Sequence, residues 1–314
     1  MRWLGRGLPL LLFLLLAGAG AVLPGWLVFL LTLALAKGLV VLGIVILMRA
    51  GLVSFGHGLF FGGAAYAVGF AMKHWETREA IVLIALGVGA AVGLGLLTGL
   101  LATRYRAIFF AMLTLAFSMV LYGVLVKAYA LTGGTDGLRI SVPAILGFQP
   151  PIEQARLALY YVALTAVAAV TVLMLRYAGA PLGYLTQASR DNEVRVAYLG
   201  SSVNRAILRA YVLSAGLGGL GGGLVALSVG HVEPHMAYWT TSGEFVFIAL
   251  LGGAEGVFAP LVGAIVYELI KSYAFKYAPY AWQMMMGAAM LGIILFLPGG
   301  LVAPLERVVR RSGR

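Results

Sequence analysis

Three groups of residues have types and spacings from which chemistry can be built. Ser54 and His57 stand three apart among Gly56 and Gly58 in SFGHG. A nucleophile and base so spaced need a frame such as Gly-x-Ser-x-Gly, which is absent, so the pair reads either as polar contacts along a membrane path or as groups satisfied by neighbouring backbone. His231, Glu233 and His235 surround Pro234, but no fourth ligand or zinc-type spacing accompanies them, and an external loop without metal is the better reading. The stretch QASRDNEVRVAYLG, residues 187–200, brings Arg190, Asp191, Glu193 and Arg195 into a chain that otherwise avoids charge. There is no cysteine, no His-Glu-x-x-His and no pair of carboxylates in a polar setting, so enzymatic chemistry is not expected.

The elements that must position these groups are set by composition. The 314 residues are 62% hydrophobic and 11% charged, with a mean hydropathy of +0.99, against roughly 25% charged residues in a soluble domain. Apolar runs recur at 8–23, 26–48, 52–72, 80–102, 107–126, 157–175, 207–229, 243–254, 257–273 and 282–298, most of them near the roughly 20 residues a helix needs to cross a bilayer. No alternating pattern suggests a barrel. The expected fold class is all-α, a polytopic bundle of about 8–10 membrane segments occupying 1–314 as one transmembrane domain, with 243–254 and 257–273 either two passes or a re-entrant pair.

A net charge of +11 would suggest nucleic acid for a soluble protein, but here the basic residues lie between apolar runs and read as topology signals, with no nucleic-acid partner implied. With the N-terminus inside, Arg2, Arg6, Arg49, Arg104, Arg106, Arg176, Arg190, Arg195, Arg205, Arg209, Arg307, Arg310, Arg311 and Arg314 fall inside. Lys73, Arg78, Lys127, Arg139, Arg156, Lys271 and Lys276 fall outside, a bias of roughly two to one in favour of this orientation. Arg2, Arg6, the Leu8–Leu16 stretch and the small residues Ala17, Ala19 and Ala21 also resemble a secretory signal peptide. The apolar run beginning at Trp26 favours an uncleaved first helix closing a hairpin on the second.

The chain has 43 glycines, several of them clustered in one span as Gly216, Gly218, Gly219, Gly221, Gly222 and Gly223. Small residues let helix backbones approach closely in lipid, and packing is the reading preferred over a phosphate loop. No Gly-Lys pair occurs anywhere, so the chain carries no Walker A loop, and any ATP is expected on another subunit. No cofactor or metal is expected on this chain.

Two polar loops remain. Loop 127–156, on the outside, contains Thr132, Gly133, Gly134, Thr135, Asp136, Gly137 and Leu138, a turn-forming set whose chemistry alone implies only a compact connection. Loop 176–206, on the inside, carries the charged stretch within a segment 181–205. Pro181 and Gly183 set it apart from the preceding span, and Ser189 or Asp191 can cap a short helix ending near Gly200. Val194, Ala197 and Tyr198 would form its apolar edge, and Asp191 and Arg195 an acid-before-base pair four residues apart. Asn204 or Ser202 can begin the next span. With so little bulky apolar surface among four charges, this helix suits a groove on another protein better than a lipid surface.

Taken in order, SFGHGLFFGGAAYAVG (54–69), AMLTLAF (111–117), LTGGTDGL (131–138), SRDNEVRVAYLG (189–200) and ALLGGAEGVFAPLVGA (249–264) resemble the LivM-type membrane subunits of ABC importers for branched-chain amino acids and related small polar solutes. The resemblance implies a permease translocating branched-chain or other small amino acids across the inner membrane by alternating access. It implies a LivH-like permease subunit or a second copy of the chain as partner, two cytoplasmic ATPase subunits that use the ATP, a periplasmic solute-binding protein docking in part on 127–156 and 230–243, and surrounding membrane lipid. Segment 189–200 would then be the coupling element, with Arg190, Asp191, Asn192, Glu193, Arg195 and Gly200 as its contacts. One departure is that Glu193 precedes Gly200 by seven residues, where the importer motif places them six apart. Ser54, His57, Tyr66, Thr114 and Ser118 become candidates to line the substrate path, sparsely polar as befits a path that must release its cargo.

Lys37 lies near the middle of 26–48, where a charge costs about 2.5–3.5 kcal/mol on insertion scales. It requires a partner within the bundle, for which Glu255 and Glu268 are the candidates. Urea or short amides as cargo of the same machine, or an ion-coupled secondary transporter, are the alternative functions.

Overall fold

The computed structural model describes residues 4–253, 256–297 and 299–302, without the side chains of 4–12 and of Ile294. Arg2 and the C-terminal arginines Arg307, Arg310, Arg311 and Arg314 lie outside the described residues, as does Glu255. The elements are α1 (Leu4–Val22), α2 (Gly25–Arg49), α3 (His57–Trp75), α4 (Ala80–Ala102), α5 (Ala107–Lys127), α6 (Tyr129–Thr132), β1 (Leu138–Arg139), α7 (Ile152–Ala178), α8 (Pro181–Asp191), α9 (Glu193–Tyr198), α10 (Val203–Val229), β2 (His231–Val232), α11 (Trp239–Gly252), α12 (Ala259–Tyr277) and α13 (Trp282–Phe296). Single turns of 3₁₀ helix occupy Gly134–Asp136 and Pro234–Ala237.

Among the described residues five helices, α2, α4, α5, α7 and α10, are long and apolar enough to cross a membrane. Helices suit that solvent because every backbone group is satisfied within the segment. α10 packs against α2, α3 and α4 and forms the centre of the bundle. Its glycines permit that closeness: a Cβ at Gly222 would lie 2.2 Å from the Phe61 carbonyl oxygen, and one at Gly221 would lie 2.4 Å from that of Ala36. Backbones in direct contact maximise dispersion between helices, the attraction that remains when lipid and side chain are equally apolar. α2 is the most enclosed span, with 89% of its apolar window buried, and α5 the least, with 22%.

The loops sort to two ends of the bundle. At one end Arg190 of α8 lies over Gly51, where a Cβ would stand 3.1 Å from the Arg190 Cγ, and Arg106 reaches Glu193 and Asn204. At the other, β1 pairs antiparallel with β2, Leu138 opposite Val232, and Ala144 bridges Glu79. The sequence assigned the first set to the inside and the second to the outside. One expectation changes and one open alternative narrows. α1 makes its main described contacts with α7 rather than closing a hairpin on α2; the Tyr160 and Tyr161 hydroxyls donate to the carbonyls of Leu16 and Ala17 at 2.5 and 3.3 Å. α11, with 14 residues, rises only about 21 Å, short of a roughly 30 Å hydrocarbon core, and it packs as a pair with α12.

Candidate functional site

The charged segment is built differently from the single helix expected. Pro181 is the first residue of α8 and not a separator, its missing N–H being one that a helix start leaves unpaired. Gly183 lets α8 fold back on the end of α7, since a Cβ there would stand 2.2 Å from the Tyr177 carbonyl oxygen. The chain then breaks at Asn192, which is extended (φ −162°, ψ 102°). Its side-chain oxygen accepts the Arg195 N–H at 2.9 Å and caps α9. Ser189, one of the two expected caps, is buried and donates to the Thr186 carbonyl at 2.8 Å. Asp191, the other, ends α8. Because the break falls between them, Asp191 and Arg195 do not share a helix and form no ion pair among the described residues.

Glu193 pairs instead with Arg106, on the turn between α4 and α5. Arg106 spreads its donors over four acceptors: Nε to the Glu193 carboxylate, Nη1 to the carbonyls of Thr103 at 2.5 Å and Tyr105 at 3.0 Å, and Nη2 to Asn204 Oδ1 at 2.7 Å. The planar fork of a guanidinium suits it to this junction in a way a lysine ammonium would not. One side chain thus joins the end of α4, the start of α5, α9 and the first turn of α10. Sequence reasoning took Arg106 only as a topology signal; a basic residue directly before an apolar run was the available hint.

Of α9, only Val196 turns into the bundle. Val194, Ala197 and Tyr198, the expected apolar edge, face outward, with Tyr198 88% and Leu199 84% exposed. Arg190, Asp191 and Arg195 are exposed around them. Gly200 ends the segment in the left-handed region at φ +79°.

The five residues proposed for a substrate path lie within the packing of α3, α5 and α10. Ser54, His57, Thr114 and Ser118 are fully buried and Tyr66 is 2% exposed. Ser54 accepts the Gly56 N–H at 3.2 Å, Thr114 donates to the Ala111 carbonyl at 2.9 Å, and Ser118 donates to the Ala237 carbonyl at 2.8 Å. His57 Nε2 is 2.8 Å from Ser214 Oγ, whose own proton goes to the Gly43 carbonyl at 2.6 Å. Nε2 is therefore the protonated nitrogen, and the buried Nδ1 has no partner among the described residues. Gly56 and Gly58 let the start of α3 seat directly on α5: a Cβ at Gly56 would stand 2.5 Å from the Thr114 carbonyl oxygen, and one at Gly58 2.9 Å from Ser118 Oγ. Thr114 and Ser118 thus line one seam between α5 and the start of α3, while Ser54 bonds its own chain at Gly56 and His57 turns to Ser214 of α10; Tyr66 lies more than two turns further along α3, its hydroxyl buried and without a partner among the described residues.

At the opposite end the Thr132–Gly137 loop is tightly made. Thr132 Oγ1 donates to the Leu125 carbonyl at 2.6 Å and accepts the Gly134 N–H at 3.1 Å. Gly133, Gly134 and Gly137 all have positive φ, and a Cβ at Gly137 would collide with the Val232 carbonyl oxygen at 2.0 Å. Thr135 and Asp136 are left exposed at the tip. Among the described residues no group of His, Cys, Asp and Glu could hold a metal ion.

Lys37 finds Glu268, as expected, with Nζ 2.5 Å from Oε1, and also Glu244, at 2.6 Å. Lys271, read from sequence as an outer-loop residue, sits one turn beyond Glu268 and approaches both Glu244 oxygens at 3.2 and 3.3 Å. Two positive and two negative groups thus bind α2, α11 and α12 together.

Fold and composition define a multi-pass α-helical membrane protein. The chain belongs to the family described as "Branched-chain amino acid transport system / permease component", which it matches over residues 9–295. It is similar to the high-affinity branched-chain amino acid transport system permease protein LivM of Escherichia coli (strain K12), 27% identical over an alignment of 285 residues that covers 84% of this chain and 66% of that protein. It is also similar to the protein of the same name from Salmonella typhimurium, 26% identical over the same shares. The chain thus spans 66% of the length of the curated relatives it matches. No solved structure matches it.

Proposed function

We propose that this chain is the membrane-spanning permease subunit of a binding-protein-dependent ABC importer, moving branched-chain or other small amino acids across the inner membrane as one transmembrane domain. ATP is bound and hydrolysed by two separate cytoplasmic subunits, and the second permease position is filled by a LivH-like subunit or another copy of this chain. Segment 181–205 is the coupling element. The observation that carries this reading is the form of α9: a short capped helix whose Val194, Tyr198 and Leu199 face away from the bundle beside Arg190, Asp191 and Arg195, while Glu193 ties it to Arg106. A helix that presents mixed apolar and charged surface outward while anchored behind is suited to a cleft on another protein. The periplasmic solute-binding protein would dock at the opposite end, on Thr135 and Asp136 of the tight 132–137 turn and on 230–243. The buried seam lined by Thr114 and Ser118, with Ser54 and His57 about the start of α3 and Tyr66 further along it, is the closed substrate path.

Reconstitution tests the reading. The chain with its ATPase subunits, second permease subunit and binding protein should take up labelled leucine in proteoliposomes only with ATP, and the chain alone should take up none. Accumulation by the isolated chain under an ion gradient would overturn it.

A further inference from the structure

Arg106 occupies the cap position of α5, and the residue after it, Ala107, begins that helix with φ +49°. A left-handed conformation is disfavoured for any residue with a Cβ, and such strain persists only where the surroundings enforce it. Here the enforcing contacts are visible. The Arg106 guanidinium is held by Glu193, Asn204 and the Thr103 and Tyr105 carbonyls, which fixes the chain immediately before Ala107.

The helix that begins there has the largest face turned away from the bundle. α5 is the least enclosed of the five spans, and its packing on the bundle runs mainly through α3 and the Pro234–Ala237 turn. Those contacts are the seam already described: the Thr114 carbonyl over Gly56, and Ser118 over Gly58 with its hydrogen bond to Ala237. A tilt of α5 would therefore open at the seam, with Phe110 against Tyr211 near the start of α5 as its pivot.

We propose that the Arg106–Ala107 junction is the joint of the transporter: displacement of α9 and the start of α10 is passed through the Arg106 fork to the strained first residue of α5, and α5 tilts away from Gly56 and Gly58 to open the seam. Arg106 is a positioning residue in this account, acting through α5. The inference rests on the reading of 181–205 as the coupling element.

The natural chain has no cysteine, so two can be introduced for spin labels at Val124 on α5 and Trp75 at the end of α3, both exposed. Distances between them would be measured by double electron–electron resonance in the full importer, assembled from cysteine-free partner subunits, without nucleotide and trapped with ATP and vanadate. The wild-type distance should shift between the two states. In Arg106→Gln the shift should be lost and leucine imported per ATP hydrolysed should fall roughly tenfold, on the scale of one charge-assisted hydrogen bond. Ala107→Gly, which keeps every hydrogen bond and relieves the strain, should show both distances without nucleotide; this variant keeps the test open if Arg106→Gln fails to fold. An α5 that does not move in a wild-type complex with ATP-driven uptake, or a shift that survives in Arg106→Gln, would overturn the joint while sparing the transport reading. A wild-type complex without ATP-driven uptake would remove both.

Discussion

Lys37, at the midpoint of α2, holds its ammonium 2.5 Å from the carboxylate of Glu268, at the midpoint of α12. The two residues are far apart in sequence, and their pairing resolves the most costly feature of the chain, a charge in the middle of an apolar span. Removing Lys37 alone would leave Glu268 without its cation and Glu244 with Lys271 alone. Breaking a buried pair by deleting one partner costs about 3–5 kcal/mol, and Lys37→Met should be destabilised on that scale. The double variant Lys37→Met/Glu268→Gln keeps a neutral Glu244–Lys271 pair and should regain most of the loss. Thermal unfolding of both variants in detergent checks this; a double variant no better than the single would contradict the pairing.

The glycines of the bundle should divide sharply. Gly222→Ala drives a methyl into the Phe61 carbonyl and should cost about 1–3 kcal/mol or more, as overpacking does. Gly93, in α4, has no atom within 4 Å of a built Cβ, so Gly93→Ala should be neutral or stabilising by up to about 1 kcal/mol through helix propensity. The same unfolding assay separates the two.

Asn192 is the cap on which α9 depends. Asn192→Ala should weaken that helix by about 1 kcal/mol, seen as faster amide exchange at Arg195 and Val196 with the membrane helices unchanged. Asn192→Asp, which keeps the acceptor, should exchange as the natural chain does.

Ser214 links His57 to the Gly43 carbonyl. Ser214→Ala leaves the buried Nε2 donor without a partner, at a cost of about 1–3 kcal/mol. In thermal unfolding Ser214→Ala should therefore melt below the natural chain, and an unchanged midpoint would contradict the link.

The membrane spans were legible because length and hydropathy decide them: the runs read at 80–102 and 107–126 match α4 and α5 to within a residue. Glu268 as the partner of Lys37 was legible for a related reason, since an uncompensated mid-span charge is too costly to leave alone. Glu244 was not, because hydropathy does not reveal which residue of a short helix turns toward a distant lysine. Arg106 was hidden in the same way: its contacts with Glu193 and Asn204 span 87 and 98 residues of sequence, and no local spacing encodes them. The break at Asn192 was missed because Ser189, Asp191 and Asn192 are all good caps, and the four-residue spacing of Asp191 and Arg195 favoured one continuous helix. The seam around Gly56 has residue types shared by a substrate path and by helix packing, and only the approach of α5 to α3 locates it.

The central claim is that α9 meets a nucleotide-hydrolysing partner. Its most direct test uses Tyr198→Cys, at a side chain 88% exposed in this chain, in the assembled complex. A short bifunctional crosslinker should join this position to an ATPase subunit, and a thiol reagent should reach it in the isolated chain from the cytoplasmic side. Labelling only from the outer side, or no crosslink in a complex that assembles and transports, would contradict the account.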